Sequence, residues 1–388
     1  MVLSLVQLTS MKIWFYYAKS GGGHKAPAEA LAREMQKLYP DQNIKLVDLA
    51  EKAELFFRYA IEDGYVFLIH YVSWVYSLIY LLNNWRPVIT VENKIINYFV
   101  KPWIKAQLVL DRPDGIVSTH FFLSPLKDAM RELKLSIPIT VVVTEPFSVP
   151  PTWFYFPEDK FIVFSAEAKA IALKKGVAES NVAVFQPIIN HPVLTPDENG
   201  VASIREKYGL TKGKKIVLII GGANGLPRGE KIFSALLGDS SEVEFVVVCG
   251  DNKHFLEKMR ALSEKHPKKA VVLGFVKEIS ELIAVADLVI SKAGAGVVFE
   301  TLLNGKPLLI THYIYGQEKG TMEFVVKKNL GWYEPRPSRI AQKVRDCLSS
   351  EERSRIAVSH QTLGLAPGNR EIANYLFRQL YGSQARGR

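Results

Sequence analysis

Cysteine is nearly missing from this sequence: Cys249 and Cys347 are the two in 388 residues. Two thiols cannot build a disulfide framework or a Cys-rich zinc site, so the chain reads as one from a reducing compartment. No acidic D-x-D pair stands out as a metal site, and neither an internal repeat nor a low-complexity tract is visible. No charge precedes Lys12, and Met1–Ser10 lacks the basic region and cleavage pattern of a secretory signal. That stretch reads as an extension leading into a first strand. Acid is the scarcer sign: 39 Asp+Glu against 49 Lys+Arg leave a net charge of +10. Such a surplus favours anionic partners, whether nucleic acid, acidic lipid head groups or phosphorylated substrates. The 48% hydrophobic and 23% charged content excludes a disordered or collagen-like chain. At ~150 residues per domain, the length suggests two or three domains.

One stretch departs from the globular pattern. Gly64–Leu82 carries no formal charge over 19 residues, near the minimum for a membrane-spanning helix. His70, Ser73, Ser77 and Asn84 nevertheless line one helical face, and Tyr65, Tyr71, Trp74, Tyr76 and Tyr80 suit an interface better than a bilayer core. Three readings stand: a docked helix touching a membrane surface, a buried core helix, or a true span.

Elsewhere strands and helices alternate. Strands are predicted at Met11–Tyr17, Asn43–Val47, Gly115–Ser118, Pro138–Val143, Lys160–Phe164 and Val182–Phe185, with helices such as Lys25–Leu38 and Ser124–Leu135 between them. Continuous β-branched runs of this kind fit a parallel sheet buried on both faces. The segment from Pro187 to Gly200 breaks all periodicity with its prolines and polar tail, and reads as a linker. Alternation then restarts, with strands at Lys215–Ile220, Val243–Cys249, Ala270–Leu273, Asp287–Ser291 and Pro307–Ile310. The expected architecture is two doubly wound α/β halves facing a cleft, with ligands outside the carboxyl ends of strands.

The candidate motifs fall just after strands. Ser20-Gly21-Gly22-Gly23-His24-Lys25 joins the first strand to the first helix. Gly22 and Gly23 permit close backbone approach, but the run is neither G-x-G-x-x-G nor a Walker A sequence. His24 is placed either as a general base or simply as the end of a glycine turn. Lys292-Ala293-Gly294-Ala295-Gly296 opens another helix, where the N–H groups of Gly296, Val297 and Val298 could hold a diphosphate. Glu300, one turn on, could accept both ribose hydroxyls or be a solvated acid favoured by the helix dipole. Gln317 and Glu318 could meet sugar hydroxyls or mark a surface helix start. Gly222 and Asn224 form a further glycine-rich turn, and Phe275 with Val276 could wall a base. The implied ligand is a nucleotide diphosphate, its charge met by helix N-termini rather than Mg²⁺.

Taken together, SGGGHKAPAEAL, VVVTEPFSVPPTWF, IIGGANG, VVCGDNKH, GFV, ADLVISKAGAGVVFETLLNGKPLLI and YGQEKGTMEFV resemble, in order, the lipid glycosyltransferases of glycosyltransferase family 28. The likeness is above all to monogalactosyldiacylglycerol synthases and processive diacylglycerol glucosyltransferases, and runs from about Met11 to Tyr333. It implies a GT-B fold of two Rossmann-like domains. Residues 1–190 would take the acceptor and membrane, residues 197–363 the UDP-sugar, and a helix at about 365–388 would pack back on the first domain.

The resemblance further implies an inverting, metal-independent hexosyl transfer at the cytoplasmic face of a membrane, with the protein peripheral. The donor would be UDP-glucose or UDP-galactose. The acceptor would be diacylglycerol or a glycolipid on an anionic surface, and no nucleic acid is involved. His24 matches the family base, Glu300 the ribose-binding acid, Gln317 and Glu318 the sugar-binding pair, Gly296 to Val298 the diphosphate loop, and Phe275 and Val276 the base pocket. Two departures bear on the acceptor side. Glu145 follows Thr144 where the family has Asp, which moves a candidate catalytic carboxylate by about 1.5 Å, and Pro150 replaces a His before Pro151-Thr152-Trp153. Other acceptors (a polyprenol-linked sugar, a soluble glycan), a non-catalytic nucleotide-sugar binder and a UDP-sugar epimerase are the competing readings.

Overall fold

The computed structural model describes residues 10–19, 22–49, 51, 85–222, 225–238, 243–266 and 270–387. The aromatic run Gly64–Leu82, Ser20, Gly21 and Asn224 lie outside the described residues.

Two six-stranded parallel sheets form the frame. The first contains β1 (Lys12–Tyr17), β2 (Asn43–Asp48), β3 (Gly115–Ser118), β4 (Ile139–Val142), β5 (Lys160–Val163) and β6 (Val182–Val184), in spatial order β2-β1-β3-β4-β5-β6. The second contains β7 (Lys215–Ile220), β8 (Val243–Val248), β9 (Ala270–Leu273), β10 (Leu288–Lys292), β11 (Leu308–His312) and β12 (Gly331–Tyr333), ordered β12-β11-β10-β7-β8-β9. This is the GT-B arrangement of two Rossmann-like halves.

The strand sequences explain the layers. Along β1, Trp14 and Tyr16 enter one core while Ile13, Phe15 and Tyr17 enter the other, so both faces of the sheet are covered. In β7 the same alternation sends Val217 and Ile219 to one side and Ile216, Leu218 and Ile220 to the other. Between strands run α1 (Lys25–Leu38), α2 (Arg86–Asp111), α3 (Ser124–Glu132) and α4 (Ala166–Lys174) in the first half. The second half carries α5 (Glu198–Lys207), α6 (Gly229–Leu237), α7 (Lys253–Ser263), α8 (Ile279–Val285), α9 (Ala295–Leu303), α10 (Lys319–Lys327), α11 (Pro337–Cys347) and α12 (Ser350–Leu363). Side-chain caps start several of them: Ser165 accepts from Ala168 N, Asp197 from Gly200 N and Asn252 from Phe255 N.

The final helix, α13 (Asn369–Gly387), returns to the first sheet. Ile372, Ala373, Leu376, Phe377 and Leu380 complete the core beneath β1, β3, β4 and β5, and Phe377 stacks on Tyr39 at 3.8 Å between ring centroids. The two chain crossings between halves touch each other. Gly368 N–H donates to Pro187 O at 2.9 Å, and the Asn369 side chain bonds both Ile189 N and Ile189 O. A Cβ at Gly368 would lie 2.0 Å from Gln186 O, so only glycine fits that approach.

Strand order reverses between β1 and β3 in one sheet and between β7 and β10 in the other. Those are the switch points where open α/β sheets bind ligands. No helix among the described residues is long and apolar enough to cross a membrane.

Candidate active site

The first switch point brings His24, at the start of α1, against the residues after β3. His24 is 6% exposed. Its Nδ1 lies 2.8 Å from Thr119 O. A carbonyl only accepts, so Nδ1 carries the hydrogen and the neutral ring keeps its lone pair on Nε2. Thr119 Oγ1 donates in return to His24 O at 2.8 Å. Burial pushes the imidazole down from 6.5 to about 4, and the positive end of α1 acts in the same direction. The ring is therefore neutral at pH 7 and able to accept a proton.

A second histidine, invisible to motif reading, packs against it. His120 is 2% exposed and its ring centre lies 4.4 Å from that of His24. Its Nδ1 accepts from Phe122 N–H at 3.1 Å, which places its own hydrogen on Nε2. Burial holds it well below the usual histidine range, with His24 adding to the effect. Phe121 and Trp153 complete an aromatic collar around His24.

Thr144, just past β4, links this group to the other half. Its Oγ1 lies 3.1 Å from His24 Nδ1 and donates to Glu145 Oε2 at 3.3 Å. Glu145 does not touch the imidazole; the extra methylene carries its carboxyl to Gln317, whose Nε2 donates to Oε1 at 3.4 Å. Burial raises Glu145 from 4.5 to about 7, against the smaller opposing effect of its hydrogen bonds. The contact between halves continues alongside. Gly320 N–H donates to Ser148 Oγ at 2.7 Å, and Phe147 stacks on Phe324 at 4.5 Å. A Cβ at Gly320 would meet Phe147 Cβ at 2.7 Å, which accounts for glycine there.

The second switch point carries the remaining candidates. Gly222 follows β7 with φ +79°, a conformation that favours glycine. After β10, Gly294 caps α9. Val298 N–H donates to Gly294 O at 3.0 Å. That bond removes Val298 from the expected diphosphate donors and leaves the earlier N–H groups of the turn, Gly296 and Val297 among them. The Lys292 ammonium sits 2.8 Å from where a Gly294 Cβ would be and pairs with Glu318 Oε1. Glu318 Oε2 accepts Ile314 N–H at 2.9 Å. Glu318 stands at the N-cap position of α10 without capping it through its side chain, and Gln317 lies in the preceding turn rather than in the helix. Phe275 is 68% exposed beyond β9, while Val276 packs on the second half's core.

Glu300 is 4% exposed and engaged with the linker. Oε1 accepts Asn190 N–H at 2.9 Å, and His191 Nδ1 stands 3.2 Å from both carboxylate oxygens. Arg33, on α1, donates to Asn190 O at 2.9 Å.

Two Rossmann-like halves, with a buried histidine at the switch point of one and glycine-lined helix starts at that of the other, define a two-lobed GT-B protein. Residues 24–189 match the model of monogalactosyldiacylglycerol (MGDG) synthase, and residues 216–371 that of the glycosyltransferase family 28 C-terminal domain. The chain belongs to glycosyltransferase family 28, with a first half of the MGDG synthase type. It is 26% identical over 345 residues to the chloroplastic monogalactosyldiacylglycerol synthase of Spinacia oleracea, covering 86% of this chain and 65% of that one. To the probable enzyme of Glycine max it is 28% identical over 372 residues, covering 92% and 68%. The chain thus spans about two thirds of the length of these relatives. The crystal structure of a glycosyltransferase from Rickettsia africae shares the fold, with a TM-score of 0.57 at 14% identity, covering 95% of this chain and 99% of that one.

Proposed function

We propose that the protein transfers a hexose from a UDP-sugar to diacylglycerol or a glycosyl-diacylglycerol at a membrane surface, with inversion and without a metal ion. The observation that carries this reading is the fixed tautomer of His24 at the switch point of the acceptor half, which leaves the lone pair on Nε2. The acceptor hydroxyl oxygen attacks C1 of the sugar. The bond from C1 to the diphosphate oxygen breaks, and UDP leaves with the electron pair. The hydroxyl proton passes to His24 Nε2. A base in this role contributes ~10²–10⁴-fold in rate.

A ring pushed down to about 4 resists protonation on its own. The new imidazolium is stabilised by the Thr119 carbonyl and, through Thr144, by Glu145. On the donor side, the reading gives the ribose to Glu300, the sugar to Gln317 and Glu318, and the base to Phe275 and Val276. The diphosphate goes to the first N–H groups of α9 and to Lys292, which opens the motif but was given no role from sequence. Gly22, Gly23 and Gly222 leave room at the cleft rim.

Helix α2 supports the membrane assignment. Val91, Ile95 and Tyr98 follow i, i+4, i+7 spacing and are 57%, 52% and 78% exposed, with exposed Lys94 beside them. An apolar stripe flanked by a cation suits an anionic lipid surface at the cytoplasmic side. A soluble acceptor would leave that stripe without a role. Incubating the protein with diacylglycerol liposomes and a panel of UDP-sugars, followed by mass spectrometry of the lipids, tests the whole reading. Hexosyl-diacylglycerol from UDP-glucose or UDP-galactose is expected; transfer only to a water-soluble acceptor refutes it.

A further inference from the structure

The contact between His191 and Glu300 has a particular shape. Nδ1 lies at the same 3.2 Å from Oε1 and from Oε2, so the nitrogen sits on the plane that bisects the carboxylate, shared between its two oxygens. A vicinal diol needs that same chelating position, one hydroxyl to each oxygen. Asn190 N–H occupies a different lone pair, on Oε1 alone at 2.9 Å, and leaves the bisector to His191. A carboxylate has about four acceptor positions, but only one bidentate face.

His191 belongs to the connection between the halves, not to the donor-binding half. The imidazole is 35% exposed, so it can swing away into solvent without unpacking a core. Glu300, 5% exposed on its side chain, cannot follow it. Its helix is also tied to the linker through Asn304, which donates to Glu300 O at 2.8 Å and accepts from Leu194 N–H at 3.1 Å.

We propose that His191 and the ribose diol of the nucleotide compete for the same face of Glu300, making His191 a positioning residue that sets donor affinity and speeds release of UDP. This rests on the assignment of Glu300 to the ribose made above. As the diol departs, His191 takes its place, so the buried carboxylate is never left without donors. The cost of losing UDP falls accordingly, and the cost of capturing the UDP-sugar rises by the same factor. Product release limits turnover in many enzymes.

The sign of the expected effect separates competition from an ordinary contact. Calorimetry with UDP and with 2′-deoxy-UDP compares the full-length wild type with His191→Ala and His191→Gln. Removing the competitor tightens UDP binding about fivefold, while 2′-deoxy-UDP, which cannot chelate, changes little. His191→Gln keeps an N–H donor and stays near wild type, which also shows that the linker tolerates substitution. In turnover, KM for the UDP-sugar falls in His191→Ala and inhibition by UDP grows. Weaker or unchanged UDP binding in a folded His191→Ala protein overturns the competition. A folded wild type that binds no UDP overturns the donor assignment itself, whatever the variants do.

Discussion

Glu145 is a carboxyl that the folded protein holds at a disadvantage, and the size of that disadvantage can be worked out. Burial raises it from 4.5 to about 7, a difference of about 2.5 units. The folded form then holds a proton that the unfolded chain releases, so stability declines as pH climbs from about 4.5 to about 7 and levels off above. At 1.36 kcal/mol per unit the total is about 3 kcal/mol. Glu145→Gln keeps the shape and one acceptor oxygen for Thr144 while removing the charge, and its amide nitrogen meets Gln317, whose own amide must turn its oxygen inward. Its stability advantage over wild type is therefore expected to be absent at pH 4.5 and to reach up to about 3 kcal/mol at pH 8.5.

Urea denaturation at both pH values reads this directly, as a midpoint shift of about 1 M for a slope of about 3 kcal/mol/M. His24, pushed down to about 4, acts with the opposite sign, but only below its ordinary 6.5. The alkaline measurement therefore isolates Glu145. The same variant should lose activity above pH 7, where wild-type Glu145 is ionised and supports the imidazolium through Thr144. Equal midpoints at pH 8.5, or a gap that does not change with pH, would refute the argument that burial governs this carboxyl.

Three further outcomes are expected. His24→Ala lowers kcat by at least ~10² with UDP affinity nearly intact; near-normal turnover removes His24 from the role. Glu300→Ala weakens UDP binding about tenfold or more in calorimetry, since a charged acceptor for two hydroxyls is lost; an unchanged isotherm contradicts the ribose assignment. Tyr98→Glu, on the exposed stripe of α2, lowers co-sedimentation with anionic liposomes about tenfold; unchanged sedimentation of the folded variant places lipid contact elsewhere.

Much of this frame was legible in the sequence. Lys25–Leu38 and Gly115–Ser118 have the bounds read from periodicity, because glycines, Pro40 and continuous β-branched runs punctuate them sharply. The strand before Lys292 ends one residue later than predicted, and α10 starts at Lys319 rather than Gly316. Such terminal turns are decided by side-chain bonds that periodicity does not show, here Glu318 accepting Ile314 N–H and pairing with Lys292 across the sheet. The local motifs placed His24, Glu300, Gln317 and Glu318, but not their partners. Thr119 and His120 follow a segment that read as a plain strand, and Thr144 entered only as the neighbour of Glu145; their meaning comes from the β1-β3-β4 neighbourhood. His191 read as a linker residue, since no periodicity reveals what lies across a crossing between halves. The aromatic run Gly64–Leu82 lies outside the described residues and is untouched by these findings.

The return of α13 to the first sheet sets an order on synthesis. Ile13, Phe15, Val117, Val142 and Ile162 are made early, yet part of their cover, Ile372 to Leu380 alongside α1, emerges only after the second lobe. The nascent first lobe must wait with an oily flank bare while the second lobe, whose own layers come from one uninterrupted stretch, can mature ahead of it. Truncating the chain after α12 would not trim a tail; it would leave the first lobe permanently unfinished and prone to clump, although every residue of its sheet was present.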